Sequence, residues 1–323
     1  MNLQIQEEYE VDSSWNTDLL KSPLGNIYHT KEYANYVRST KGWNTSFIRM
    51  FTNSGKLVAQ NLLVYYPRGQ NKGKIKKFIT TMPGIRKNIY RWIYGPILIE
   101  NELGNDIHKE FLRFLIKKKG MVLGSCHPLD NSLKNFNNLS LKMSSWGTFL
   151  IDLTQGKESL WSQLRADAKR RVNYAKKNNI KVKKMREGDL QKYHELLKET
   201  KSKVGWDIKL EEVSALWKNL KPVGFSGFIA TLDEIPLGGT LVSSFNNYIN
   251  EWGVARSKEE AIKKANSGDL IRWEIIEWGI SNKAQYYDLT GVNPHPENPK
   301  EKGIFENKSK WGGKLVEYLI LSN

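Results

Sequence analysis

Cysteine is almost absent from this chain: Cys126 stands alone among 323 residues, so no internal disulfide framework can form and a reducing compartment is the natural home. Its neighbour His127 does not turn it into a metal site, because adjacent residues cannot supply four ligands and no second Cys or spaced His pair completes the set. Histidine is scarce as well, with five scattered positions that give no reason to infer a histidine-based relay. Long hydrophobic runs are missing. The longest uncharged apolar-type stretch, Trp92 to Ile99, is interrupted by Gly95-Pro96 and is too short to span a bilayer. At the N-terminus, Glu7, Glu8, Glu10 and Asp12 stand where a secretory signal would need a basic start and an apolar core. These absences lead to the expectation of a soluble, cytoplasmic protein.

Gly-x-Ser-x-Gly, His-Glu-x-x-His and Gly-x-Gly-x-x-Gly are also lacking, which argues against the familiar serine hydrolase, zinc protease and dinucleotide-binding signatures. Gly69 to Lys74 resembles a phosphate loop, but the spacing is one residue short and Ile75 stands where Ser or Thr would bind magnesium. Acidic residues are in deficit, 34 against 50 Lys and Arg, and the excess is spread over the chain. Residues 1–150 hold 21 basic against 11 acidic side chains, which leaves 29 against 23 for the rest. Such a balance favours a polyanionic partner, since basic surface attracts and steers phosphates, nucleic acid or an anionic membrane. Any chemistry must rest on lysine, arginine, carboxylate and backbone groups.

What is present reads as an α/β chain long enough for two domains. The first half shows a helix around His29 to Thr40, then a hairpin of Thr45 to Phe51 and Leu57 to Tyr66 joined at Asn53-Ser54-Gly55. A basic, loop-rich stretch from Arg68 to Tyr94 reads as a flap; a helix near Asn105 to Lys119 and a strand from Met121 follow. The second half repeats the order. Trp161, Leu164, Ala168, Val172 and Ala175 fall on one stripe and predict a single amphipathic helix from Trp161 to Lys177. Phe225 to Thr231, Leu237 to Phe245 and Tyr248 to Val254 predict a meander with turns at Asp233-Glu234 and Asn246-Asn247. A helix from Asp269 to Ser281, a strand from Ala284 to Leu289 and a last strand from Leu315 close the chain. The boundary falls near Gly147, giving domains 1–147 and 148–323.

Two stretches carry candidate chemistry. Between Arg165 and Arg186 stand ten Lys or Arg and one Asp, more than a solvated helix face needs. Within it Arg170 and Tyr174 are one turn apart, pairing a planar phosphate-binding fork with an aromatic face and hydroxyl. The second stretch places Asp288 at a strand end and Lys308 just before the turn Trp311-Gly312-Gly313. A fixed ammonium there suits a developing oxyanion or a phosphate, where a preorganised charge is worth several kcal/mol of transition-state stabilisation.

The helix segment Lys169 to Ala175, the strand end Asp288-Leu289-Thr290-Gly291 and the run Gly303 to Gly313 resemble the Fem family, the aminoacyltransferases that build peptidoglycan cross-bridges. Tyr94-Gly95-Pro96 is similar to the family's Arg-Gly-Pro, and the resemblance covers nearly the whole chain. It implies two tandem GNAT-like (acetyltransferase-like) domains with mixed sheets. It also implies transfer of an amino acid from aminoacyl-tRNA to an amine of a nucleotide- or lipid-linked cell-wall precursor, with no cofactor and no metal. By that likeness Arg170, Tyr174 and Asp288 bind substrate and Lys308 is catalytic. The chain departs from the family pattern at Asn307 (usually Phe), Lys310 (usually Gly) and Tyr94 (usually Arg), and no heptad pattern marks a coiled-coil arm. Two other readings use the same residues: a GNAT-type N-acyltransferase taking acyl-CoA, and a non-catalytic nucleic-acid-binding protein. Arg256 to Asp269 lacks the usual pyrophosphate-loop pattern of the former.

Overall fold

The computed structural model describes residues 3–69, 88–132, 141–201 and 209–323. Its contacts divide the chain into two units, Met1–Trp146 with Glu317–Asn323, and Gly147–Val316.

The first unit runs β1 (Gln4–Glu8), α1 (Ser14–Leu19), α2 (Lys31–Lys41), β2 (Asn44–Phe51), β3 (Leu57–Pro67), β4 (Asn88–Trp92), β5 (Ile97–Leu98), α3 (Gly104–Lys117) and β6 (Met121–Ser125). β1, β2, β3 and β4 pair antiparallel in that order, and β6 joins β4 in parallel, so the sheet is mixed. The start of α2 is fixed by Thr30, whose side chain accepts from Tyr33 N, and its end by Gly42 at φ 61, where a left-handed residue closes the last turn. Trp15 of α1 is fully buried with its ring 4.9 Å from Phe47 of β2. Tyr94 is a core residue: buried, it meets Tyr28, His127 and Tyr318 edge-on, an environment that would leave an arginine head unpaired. Most of the basic flap expected over Arg68 to Tyr94 lies outside the described residues, and its end, Asn88–Trp92, is the strand β4.

One buried side chain does the work of a strand. β3 pairs with β5 at Ala59 and Gln60 and with β4 from Val64 onward. Between these pairings the His29 imidazole accepts from Leu62 N at 2.9 Å, and its other ring nitrogen donates to Ile93 O at 2.8 Å. Accepting from Leu62 N needs the neutral ring, and burial pulls its pKa down to about 4 from the ordinary 6.5, the carbonyl bonds opposing. The unfolded chain therefore binds more protons between these two values. Stability from this group is complete above 6.5 and lost as pH falls to about 4, on the order of 3 kcal/mol. His127, pulled by burial to about 3, adds to the same acid window. Urea unfolding of the wild type should show the loss, and His29→Gln should flatten the pH slope in part. An unchanged slope in the variant would remove this role from His29.

The second unit takes in β7 (Lys142–Asp152) from Gly147 onward, followed by α4 (Lys157–Gln163), α5 (Ala166–Lys177), β8 (Lys181–Lys184), α6 (Leu190–Lys201) and α7 (Leu210–Leu220). Then come β9 (Phe225–Leu232), β10 (Ile235–Phe245), β11 (Tyr248–Arg256), α8 (Lys258–Lys263), α9 (Ser267–Ser281), β12 (Tyr286–Asp288), α10 (Pro299–Ser309) and β13 (Lys314–Ser322). The sheet order is β7-β12-β11-β10-β9-β8, parallel between β11 and β12 and antiparallel elsewhere. Both meander turns form as expected. Asp233, Glu234, Asn246 and Asn247 all have positive φ, the two-residue geometry that matches strand twist and favours Asn and Asp. Adjacent glycines of β10 open opposite faces: a Cβ on Gly238 would meet Ser267 and Ile271 of α9, and one on Gly239 would meet Tyr193 of α6. The sheet is thus covered on both sides by helices.

Two expectations need correction. The stripe from Trp161 to Ala175 does not ride on one helix. Leu164 is extended and buried, and Arg165 N donates to Lys310 O at 3.0 Å, so the chain breaks between α4 and α5 to reach that carbonyl. The second domain also does not run to residue 323. The end of β13 pairs antiparallel with β6, Ile320 opposite Ser125, which returns Glu317–Asn323 to the first unit. The longest helix among the described residues, α9, has 15 residues, so no helical arm appears there, and none is long and apolar enough to cross a membrane.

Candidate active site

Ala168, Val172 and Ala175 are fully buried on one stripe of α5 and turn its opposite face outward. That face carries Arg170 and Tyr174, which share the wall of one cavity of about 530 Å³. Across from them stand Arg256 at the end of β11 and Lys264 just after α8, and Arg171 completes a ring of four cations. A Cβ added to Gly268 would lie 2.9 Å from the Arg256 guanidinium, so the bare glycine lets that group rest on the first turn of α9.

The two carboxylates in the wall do not cancel this charge. Asp269 is buried, bonded to the buried Lys310 ammonium and 3.9 Å from Arg171. Burial lowers the Lys310 pKa, with the Asp269 carboxylate opposing. Glu260 is buried too and accepts from Ser267 N at 3.2 Å. The N-terminus of α9 therefore already has a carboxylate on its first amide and another in its first turn, which leaves less room there for an anionic ligand.

Asp288 and Lys308 come together elsewhere, at the end of β12. The Asp288 carboxylate is fully buried and accepts from Thr148 Oγ1, from Tyr248 OH at 2.9 Å, from Asn250 Nδ2 at 3.3 Å and from Thr290 N at 2.7 Å. With four donors around it, this group is not open to a substrate, and the binding role expected for it is replaced by a positioning one. It fixes Thr290 in the left-handed region, φ 54. That turn presents the Thr290 and Gly291 carbonyls, which receive the Lys308 ammonium at 2.7 and 3.1 Å. Lys308 lies in the last turn of α10. Burial lowers its pKa, and the Glu251 carboxylate pulls it back up. An ammonium has three N–H donors, so one is left after the two carbonyls. Lys308 does not line the cavity of Arg170 and Tyr174.

A buried ion pair connects the two places. Arg272 lies one turn beyond Asp269 on α9 and grips Glu251 with three bonds of 2.9 to 3.1 Å. It also donates to Asn307 Oδ1 at 3.2 Å, beside Lys308, and its head lies 5.4 Å from the centre of the Trp311 ring. Tyr287 OH donates to the same carboxylate at 2.8 Å. Asn307 and Lys310, both departures from the Fem pattern, thus have structural partners here. Sequence reasoning missed Arg256, Lys264, Glu251 and Arg272. Only Glu251 left a signal, a lone charge in the otherwise uncharged run Tyr248 to Val254. Among the described residues no cluster of His, Cys, Asp and Glu could hold a metal.

No protein-family profile matches the chain, and no curated protein matches it in sequence. Solved structures do match in shape. A crystal structure of FemX superposes with a TM-score of 0.75 at 13% identity, covering 97% of this chain and 96% of that one. The fold is similar to that of FemX. L-PGS from Bacillus licheniformis (TM-score 0.60, 12% identity, 98% and 93% covered) shares it. So does a tandem GNAT protein from the clavulanic acid biosynthesis pathway (0.56, 11%, 99% and 98%). The chain is therefore an α/β protein of two tandem GNAT-like units, and FemX, L-PGS and the tandem GNAT protein share that architecture from end to end.

Proposed function

We infer that the protein is a Fem-like aminoacyltransferase, moving an amino acid from aminoacyl-tRNA to an amine of a cell-wall precursor or related acceptor. The observation that carries this reading is the four-cation cavity between α5 and α9, beside a helix N-terminus that carboxylates already occupy. Arg170, Arg171, Arg256 and Lys264 suit the phosphates of a nucleotide- or lipid-linked acceptor, and Tyr174 offers a flat apolar wall and a hydroxyl. The filled α9 terminus disfavours the acyl-CoA alternative, whose pyrophosphate would need those amides.

In the reaction the acceptor amine attacks the ester carbonyl carbon. A C–N bond forms, the C–O bond to the tRNA ribose breaks, and the ribose oxygen takes the proton the amine sheds. An ester is already activated, so positioning supplies much of the rate. Lys308 directs its third N–H to the oxygen that gains charge. Radiolabelled aminoacyl-tRNA and acyl-CoA, offered separately with amine acceptors and with or without ribonuclease, test this directly. Ribonuclease-sensitive transfer from tRNA is the expected result, and transfer from acyl-CoA alone would overturn it. Arg170→Ala should raise the acceptor KM about tenfold to a hundredfold, the scale of one hydrogen bond to a charged group, with kcat nearly unchanged.

A further inference from the structure

A second cavity lies wholly in the first unit, where β3 and β4 part around the His29 bridge. It is small, about 60 Å³, and is walled by Tyr28, Tyr33, Trp43, Leu62, Trp92 and Arg91. Two of its aromatic walls are braced by neighbours: Tyr28 and Tyr33 meet edge-on at 5.5 Å, and Trp43 stacks on Tyr66 at 4.3 Å. Among the described residues Arg91 is the only charged one in this wall. No hydrogen bond or ion pair among the described residues engages its guanidinium. Burial pushes the Tyr33 hydroxyl up to about 12, so it stays neutral and cannot serve as a phenolate counter-ion. Arg91 is only partly buried, so water serves its guanidinium until an anion displaces it, and the planar fork held beside aromatic walls without a carboxylate is free to receive one. The same face of β3 carries Gln60, whose amide is buried without a partner, so this end of the strand keeps polar capacity for a guest or for water.

We propose that this pocket binds the carboxylate end of a small apolar molecule, the class of an N-acylated small amino acid or the carboxyl terminus of a short peptide. The planar guanidinium matches a carboxylate in bidentate fashion, whereas a phosphate dianion calls for more than one cation. At about 60 Å³ the pocket takes in only the charged end of a ligand and leaves the rest outside, so the fit to the guanidinium decides. The assignment stands independently of the transfer reading, because it uses no residue of the second unit.

Trp43 and Trp92 line the pocket, so intrinsic fluorescence of the full chain reports occupancy. Titration with N-acetylalanine should give a saturable change. Its methyl ester, which keeps the shape and removes the charge, should bind at least about tenfold more weakly. Arg91→Gln should lose about as much with an unaltered unfolding midpoint, and Arg91→Lys should recover part of it. Equal binding of acid and ester would overturn the proposal, and that comparison needs no variant. So would the absence of any saturable change, or competition by inorganic phosphate as effective as that of the carboxylate.

Discussion

Lys308→Ala is expected to lower the single-turnover rate of transfer by about a hundredfold to a thousandfold, the scale on which a lost oxyanion donor is felt. The expectation rests on what holds the ammonium. Thr290 and Gly291 take two of its hydrogens, and Asp288 fixes the turn that presents those carbonyls, so the third N–H has a defined direction before substrate arrives. The same geometry separates the catalytic role from a structural one. Thr290 and Gly291 are only partly buried, so water can replace the lost bonds and the unfolding free energy should change by no more than about 1 kcal/mol. A variant that folds normally and transfers as fast as the wild type would remove Lys308 from the chemistry. A variant that merely binds acceptor less well, with kcat intact, would make it a binding residue.

Arg272→Ala should be among the most damaging substitutions in the second unit, costing about 3 to 5 kcal/mol, because it strands the Glu251 carboxylate in the core. Both side chains are nearly inaccessible, at 8% and 6% exposure. Burial alone would lower the Arg272 pKa, yet the carboxylate beside it raises it above its ordinary value. The double variant Arg272→Met with Glu251→Leu removes both charges and should recover much of the loss. It still leaves the buried Tyr287 OH without its partner, at about 1 to 3 kcal/mol, whereas Asn307 is only partly buried and water can serve its Oδ1. Urea unfolding of the full chain, single and double variants side by side, reads the loss. If the losses of the two single variants simply added in the double, the residues would not be acting as a pair.

These residues mark how far the sequence could be read. The meander turns were legible because a two-residue turn with positive φ favours Asn and Asp locally, and the first hairpin because Gly55 supplies the positive φ of its turn. The outward face of α5 was legible because Ala168, Val172 and Ala175 recur at the helical period. The break at Leu164 was not, since the same period continues through it and only the bond from Arg165 N to the Lys310 carbonyl interrupts the helix. Asp288 was read as a site residue from its place at a strand end. Its donors come from Thr148, Tyr248 and Asn250, which no local pattern links to it.

By itself the sequence determined the element types, the tandem repetition of one α/β plan and the surplus of cations, and it offered two segments of candidate chemistry. Only the tertiary structure decided that Arg256 and Lys264 join Arg170 and Tyr174 around one cavity, that Lys308 is held by the Thr290–Gly291 turn, and that the last strand returns to the first unit. The physical reason is one of range. Turn geometry and helical or strand period act over a few residues, whereas a cavity, a buried ion pair or a shared strand joins groups far apart in the chain through packing and burial that no short window encodes.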